Sequence, residues 1–136
     1  MTFENDSLTG QIINAIITVH QKLGPGFMEN IYRNALTIEL RKRGLDIKPE
    51  KEITVYYDGE IVGIHRLDIL VEDAVVLELK TVETLHKSHY AQIRSYLKAS
   101  GCKIGLLVNF AGETADFRRV DLCKIRRCGD SGRLGD

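Results

Sequence analysis

The sequence has no excess of charge of either sign, few cysteines and no long apolar segment. Its 136 residues include 19 basic and 19 acidic side chains, so the formal net charge is zero. A neutral chain is not expected to coat nucleic acid through charge alone, although a local basic rim around an acidic centre is compatible with this balance. With 43% hydrophobic residues, the chain can form one domain with a core, and hardly two.

The three cysteines are Cys102, Cys123 and Cys128, an odd number without the spacing of a disulfide framework. We therefore expect a reducing, cytoplasmic environment. Cys123 and Cys128 have no second pair of Cys or His at zinc spacing, which argues against a structural zinc site. No apolar run is long enough to cross a bilayer, and residues 1–6 lack the pattern of a secretion signal. No membrane association is expected.

The first third of the chain has the apolar spacing of two helices. Apolar side chains recur at helical spacing over residues 7–23, and Gly24-Pro25-Gly26 ends this helix. A second helix is predicted over residues 28–43, with basic residues in its last turn and Gly44 after it. Residues 48–50 are expected to form a linker.

Further along the chain apolar side chains recur at every second position, which predicts strands. Asp58-Gly59 indicates a hairpin turn, and residues 72–74 indicate a second turn. The order of two helices, a three-stranded meander, a helix and one or two strands predicts an α/β or α+β fold in which helices pack on a sheet. We expect one domain over residues 7–125 and a disordered tail over 126–136. The predicted elements are strands 53–57, 61–71 and 75–82, a helix 88–99, a strand 104–110 and an edge strand 117–125.

Three charged residues stand out on the second predicted hairpin. If its turn is centred on Asp73, Asp68 lies opposite Glu78, with β-carbons about 5 Å apart. Lys80 shares their face because strand residues two apart point the same way. A shift of one residue in the pairing would separate these groups. The opposite face is expected to be hydrophobic core, formed by Leu67, Ile69, Val71, Val75, Leu77 and Leu79.

The paired acids suggest a metal site. Two adjacent carboxylates repel, so one takes up a proton unless a cation lies between them. Oxygen ligands suit Mg²⁺ or Mn²⁺, and Lys80 would orient an attacking water or stabilise charge on a phosphate. Arg66 is expected across from Lys80, where it would contact phosphate or pair with Glu78. The alternative is a solvated surface hairpin, because an acid-x-Lys triplet is common by chance.

Asp68 and Glu78-Leu79-Lys80 resemble the PD-(D/E)xK nuclease superfamily, which pairs an Asp on one strand with (Asp/Glu)-x-Lys on the next. Gln92-x-x-x-Tyr96 resembles the helix motif of its RecB-like and Cas4-like branch. Residues 26–32, GFMENIY, are similar to the name motif of the GxxExxY family. Segments 63–72 and 105–110 also resemble strands of that family, and the resemblance extends over about residues 8–120.

This resemblance implies a restriction-endonuclease-like core, with a mixed central sheet and helices packed on its faces. It also implies a nuclease that depends on Mg²⁺ or Mn²⁺. The implied catalytic residues are Asp68, Glu78 and Lys80. Gln92 and Tyr96 are expected to support the site or contact the nucleic-acid backbone. His65 is predicted to face away from Asp68 and is not assigned as the histidine ligand of RecB-like enzymes. The implied metal ligands are Glu29, Asp68, Glu78 and the backbone carbonyl of Leu79.

Two functions from different classes fit the sequence. The first is a metal-dependent nuclease that cleaves nucleic acid, with DNA preferred over RNA. The second is a catalytically silent nuclease-like module that acts in a complex or as a homodimer. Exposed strand edges would allow a homodimer to form. Fold alone does not decide between these functions.

Overall fold

The computed structural model describes residues 4–122, and their side chains from Ser7 onward. The five strands form one sheet in the order β1-β2-β3-β4-β5. β3 and β4 are parallel, and the other neighbouring strands are antiparallel. The predicted mixed sheet with helices on its faces is confirmed. The elements are α1 (Glu4–Leu23), α2 (Glu29–Lys42), β1 (Ile47–Tyr57), β2 (Glu60–Val71), β3 (Val75–Lys80), α3 (Lys87–Ser100), β4 (Ile104–Asn109) and β5 (Asp116–Asp121).

The sheet has a hydrophobic core on each face. α1 and α2 pack on one face, where Tyr32 and Leu36 meet inward residues of the central strands such as Leu77. α3 packs on the other face and connects the parallel strands β3 and β4, a connection that requires a crossover. Gly105 of β4 permits this packing, because a β-carbon there would lie 2.8 Å from the side chain of Ile93.

The predicted linker at residues 48–50 was wrong. These residues belong to β1, where Pro49 pairs with Ile69 of β2. Proline is tolerated here because β1 is an edge strand, whose outward N–H groups need no partner in the sheet. β3 ends at Lys80 rather than at residue 82. Residues 123–125 of the predicted last strand, the predicted tail, Cys123 and Cys128 lie outside the described residues.

The pairing of β2 with β3 agrees with a turn centred on Asp73. The pairs run from Val71 with Val75 to Ile69 with Leu77, and the ladder ends there. The predicted face of Leu67 was wrong, because it packs in the core under α3, opposite the face of Ile69. The alternation of side chains therefore breaks at Asp68, where the two strands separate.

Among the residues that the structure describes, no helix is long and apolar enough to span a membrane.

Candidate active site

The Asp68 carboxylate occupies the point where β2 and β3 separate. Its Oδ2 accepts a hydrogen bond of 2.7 Å from the backbone N–H of Leu79. A carboxylate oxygen thus replaces the backbone carbonyl that would otherwise accept this N–H, so the donor stays satisfied although the ladder has ended. The same bond fixes the carboxylate beside Glu78.

Glu78 is a buried acid with one unused oxygen. Its residue surface is only 5% exposed, and its Oε2 lies 3.6 Å from Lys80 Nζ. Its Oε1 is buried and has no hydrogen-bond partner within the described part of the chain. Burial of such an atom without a partner is costly. The geometry therefore leaves an unused carboxyl oxygen beside Asp68, which can serve as a metal ligand.

Burial and neighbouring charges shift the titration of both acids. Burial, followed by the Asp68 charge, raises the pKa of Glu78 to about 8, and the nearby Lys80 ammonium only partly opposes this rise. Burial is also the main cause that raises the pKa of Asp68, and the charge of Glu29 adds to it. The Leu79 N–H, Arg33 and Lys80 act in the opposite direction. At neutral pH the metal-free pair therefore retains a proton, mainly on Glu78.

Glu29 reaches the margin of this pair from the first turn of α2. Its Oε2 accepts a hydrogen bond of 3.2 Å from the backbone N–H of Thr81, just after β3. Over residues whose side chains are described, no group of three or more acidic, His or Cys side chains forms a complete metal cluster. Asp68 and Glu78 lie next to each other. The role of Glu29 as a direct metal ligand stays a prediction.

The available ligands fit a hard divalent cation. All of them are oxygens, and Glu78 Oε1 is left without another role. Mg²⁺ commonly binds through only one or two carboxylates and keeps several waters, so an incomplete protein cage is compatible with this ion.

The Gln92-x-x-x-Tyr96 motif of α3 lies against the same site. Lys80 Nζ donates a hydrogen bond of 3.0 Å to Gln92 Oε1. Gln92 also bonds to the side chain of Tyr96, whose pKa is raised to about 12 by burial and by the charges of Glu78 and Asp68. The structure thus brings Gln92 and Tyr96 to the acids and the lysine, and their roles toward a substrate stay predictions.

The model of the PD-(D/E)XK nuclease superfamily matches residues 6–120, which include every residue of this site. The chain belongs to the PD-(D/E)XK nuclease superfamily. Three chains of solved structures match it. One, the crystal structure of SSO0001, aligns with a TM-score of 0.54 and 19% sequence identity over 75% of this chain and 55% of that chain. That similarity concerns the fold, and this chain spans little more than half the length of SSO0001. No curated protein matches the chain.

The sequence motif at residues 26–32 also has a structural role in this PD-(D/E)XK domain. The Tyr32 hydroxyl donates to the Gly24 carbonyl at 2.6 Å and accepts from the Phe27 N–H at 3.3 Å. The Tyr32 ring stacks on Phe110 with a centroid distance of 4.3 Å. These contacts fix the loop between α1 and α2, and they position Glu29 at the start of α2.

Asn109 was not assigned a role from the sequence, although it is a lone polar residue at the end of an apolar run. Its side chain donates to the Val82 carbonyl at 2.7 Å and accepts from the Val82 N–H at 3.1 Å. The Phe110 N–H donates to the Lys80 carbonyl. Together these bonds hold the chain that follows the catalytic motif of the superfamily.

Two more residues lie near the site: His65, which was considered and not assigned, and Arg33, which was missed. His65 packs edge-on against Tyr96, with ring centroids 4.5 Å apart, because its face is the one that α3 covers. Arg33 follows Glu29 by one helical turn, which is the signal that could have identified it. Its guanidinium lies 3.1 Å from Glu50 and lines a cavity of about 450 Å³ beside Glu29.

The predicted position of Arg66 was wrong. Its guanidinium pairs with Glu52 at 3.3 Å and with Glu50 at 3.8 Å, and not with Glu78. The pairing of β2 with β3 ends before Arg66 could lie opposite Lys80. Arg66 is therefore an exposed residue of the β1–β2 hairpin.

Proposed function

We propose that this chain is a nuclease that uses Mg²⁺ or Mn²⁺ to hydrolyse phosphodiester bonds, in DNA more readily than in RNA. The observation that carries the proposal is the buried Glu78 carboxylate, whose Oε1 has no partner in the described structure, beside Asp68 and Lys80. Membership of the superfamily supports the reaction class. The preference for DNA rests on resemblance to nucleases of the RecB-like and Cas4-like branch.

The roles of the residues follow from their positions. Asp68, Glu78 and the Leu79 carbonyl would hold the ion, with Glu29 as a further ligand. A bound metal would supply an activated water and neutralise charge on the phosphate. Lys80, held by Gln92, would orient the attacking water and stabilise negative charge on a phosphate oxygen. Gln92 would hold Lys80, and Gln92 and Tyr96 would support the site or contact the nucleic-acid backbone.

We also propose that the chain belongs to a narrower family within the superfamily and that it is located in the cytoplasm. The sequence GFMENIY over residues 26–32 supports placement in the GxxExxY family. The odd number of cysteines and the free, buried thiol of Cys102 support a cytoplasmic location.

Cleavage assays with matched variants test the nuclease function. Purified protein is incubated with linear DNA, circular DNA or RNA in EDTA, Mg²⁺ or Mn²⁺. We expect cleavage only with a divalent metal, and its loss in Glu78→Gln and Lys80→Met. Glu83→Gln, an exposed acid of the following loop, is the control and should cleave normally. Cleavage in EDTA, or full activity of both site variants, would contradict the proposal.

The second candidate is a silent nuclease-like binding or accessory module in a complex or homodimer. It is favoured by the absence of a complete cluster of three ligands among the side chains described from Ser7 to Leu122. It predicts that nucleic acid binds but is not cleaved by the wild-type protein with any tested metal. Metal-dependent cleavage that is lost in Lys80→Met would exclude it.

A further inference from the structure

The β1–β2 hairpin extends far beyond the rest of the sheet. β3 pairs with β2 only from Ile69 to Val71, whereas β1 and β2 remain paired as far as Tyr57 and Glu60. α3 covers one face of this extension at His65, through contacts with Ser95 and Tyr96. The other face has no comparable cover among the described residues.

That uncovered face is apolar. Thr54 pairs with Ile64, and Tyr56 pairs with Ile61, so these four side chains share one face. We define the hairpin patch as the exposed apolar residues on this face. They are Tyr56, Ile61 and Ile64, with exposed fractions of 62%, 66% and 62%. Tyr57 pairs with Glu60 and lies on the opposite face.

The size of the hairpin patch indicates a protein interface. One tyrosine and two isoleucines exposed to this extent present on the order of 400 Å² of surface, within the range of the largest apolar patch of a typical monomer. A standard protein interface buries about 800 Å² on each partner, and somewhat more than half of that area is apolar. The patch therefore supplies about half of one side of such an interface, and the charged residues around it can form the polar rim.

The charges of the hairpin disfavour nucleic acid as the occupant. Its tip carries Asp58 and Glu60, and farther from the tip Glu50 and Glu52 already pair with Arg66. An acidic tip would repel a phosphate backbone, because nucleic-acid affinity depends chiefly on neutralising phosphates with cations.

We propose that the hairpin patch is the interface with a second copy of this chain, related by a two-fold axis. The axis passes between the Thr54–Ile64 pair and the Tyr56–Ile61 pair. The Thr54–Ile64 pair of one copy therefore packs on the Tyr56–Ile61 pair of the other copy. This symmetry brings the Arg66–Glu52 ion pair, which follows on this face away from the hairpin tip, over the turn of the other copy, where Asp58 is the acidic residue. Packing of apolar pairs on apolar pairs, with a contact from Arg66 to Asp58 at each end, makes the arrangement self-complementary.

Sedimentation velocity over a concentration series tests the proposal without any reference to nuclease activity. We expect the wild-type protein to shift from monomer to dimer as concentration rises. Ile64→Lys should raise the dimer dissociation constant by at least about tenfold, because a buried charge would replace an apolar contact. Ile38→Lys on α2 is the matched control, since Ile38 is also 62% exposed and lies outside the patch. It should leave dimerisation unchanged.

Two charge variants test the orientation of the copies. Arg66→Glu should weaken the dimer, since it places an acid over Asp58, and Asp58→Asn should partly restore dimerisation in the Arg66→Glu background. Asn is compatible with the positive φ of 51° at this turn. Lys98→Glu, an exposed charge reversal on α3, should have no effect.

Three results would overturn the proposal. The first is a wild-type protein that stays monomeric throughout the series, and the second is an Ile64→Lys protein that dimerises as well as wild type. The third is loss of DNA binding in Ile64→Lys with unchanged sedimentation, which would assign the patch to nucleic acid. Circular dichroism of each variant verifies that the fold is retained, and the wild-type series is informative without any variant.

Discussion

Lys80 Nζ lies 3.0 Å from Gln92 Oε1 and 3.6 Å from Glu78 Oε2, so one ammonium joins the helix motif to the buried acid. The bond to Gln92 directs Lys80 toward the site, because an unrestrained lysine side chain samples many rotamers. The two side chains are twelve positions apart, and α3 brings them together.

In the proposed nuclease, replacement of Gln92 by Ala should lower kcat by roughly 10- to 100-fold, as for other residues that orient a functional group beside a metal. KM should change less, because the lost bond is to Lys80. Gln92→Glu keeps an acceptor oxygen for Lys80 and should recover part of kcat. Steady-state cleavage kinetics measure these effects, and Gln11→Ala, an exposed glutamine on α1, is the control. A Gln92→Ala enzyme with normal kcat would show that this bond has no positioning role.

The raised pKa of Glu78 predicts how the metal-free protein responds to pH. Below the ordinary pKa of 4.5 the group is protonated in both the folded and the unfolded chain, so through this group the free energy of unfolding does not change with pH. Between 4.5 and about 8 the folded chain retains a proton that the unfolded chain has released, so the free energy of unfolding falls as pH rises. The slope from one such group is at most about 1.4 kcal/mol per pH unit.

Urea unfolding in EDTA at several pH values measures this slope. Glu78→Gln should flatten the profile over the same pH range, and the raised pKa of Asp68 should leave a smaller residual slope. Mn²⁺ should reverse the trend, since it binds the ionised carboxylates. Identical profiles for wild type and Glu78→Gln would contradict the inferred protonation.

Asp68 has a structural and a chemical role that two substitutions can separate. Asp68→Ala leaves the Leu79 N–H without its acceptor, which should cost about 1–3 kcal/mol in the free energy of unfolding. Asp68→Asn keeps an acceptor oxygen and should retain most of that stability, but it loses the charge that attracts a cation. Thermal unfolding and metal titration of both variants measure the two effects. Equal metal affinity in wild type and Asp68→Asn would remove Asp68 from the ligand set.

Tyr32→Phe should destabilise the protein by about 1 kcal/mol, because the bonds to Gly24 and Phe27 are lost while the stacking on Phe110 remains. Chemical unfolding measures this change. Tyr57→Phe removes a hydroxyl from an exposed ring and should be close to neutral. If both variants were equally stable, the loop between α1 and α2 would not depend on Tyr32.

Part of the site could be predicted from local sequence. The turn centred on Asp73 sets the pairing of Ile69 with Leu77. Asp68 and Glu78 are the next residues outward on either strand, so they come together even though the ladder stops. This relation needs only the period of two and the position of one turn.

The errors in the prediction from sequence arose where tertiary structure overrides the two-residue alternation of strand side chains. Leu67 was placed on the wrong face because the strands separate at Asp68, which no local pattern indicates. Pro49 suggested a linker because the sequence does not reveal that β1 is an edge strand. Arg33 and Glu50 meet across elements, and sequence patterns give no information on such long-range ion pairs.

Titration of Mn²⁺ into the metal-free protein by isothermal calorimetry tests the central claim most directly, that Asp68 and Glu78 share one divalent ion. The account predicts one ion per chain and release of the proton retained by the pair. It also predicts loss of binding in Glu78→Gln and normal binding in Glu83→Gln. Absence of Mn²⁺ binding, or undiminished binding by Glu78→Gln, would contradict it.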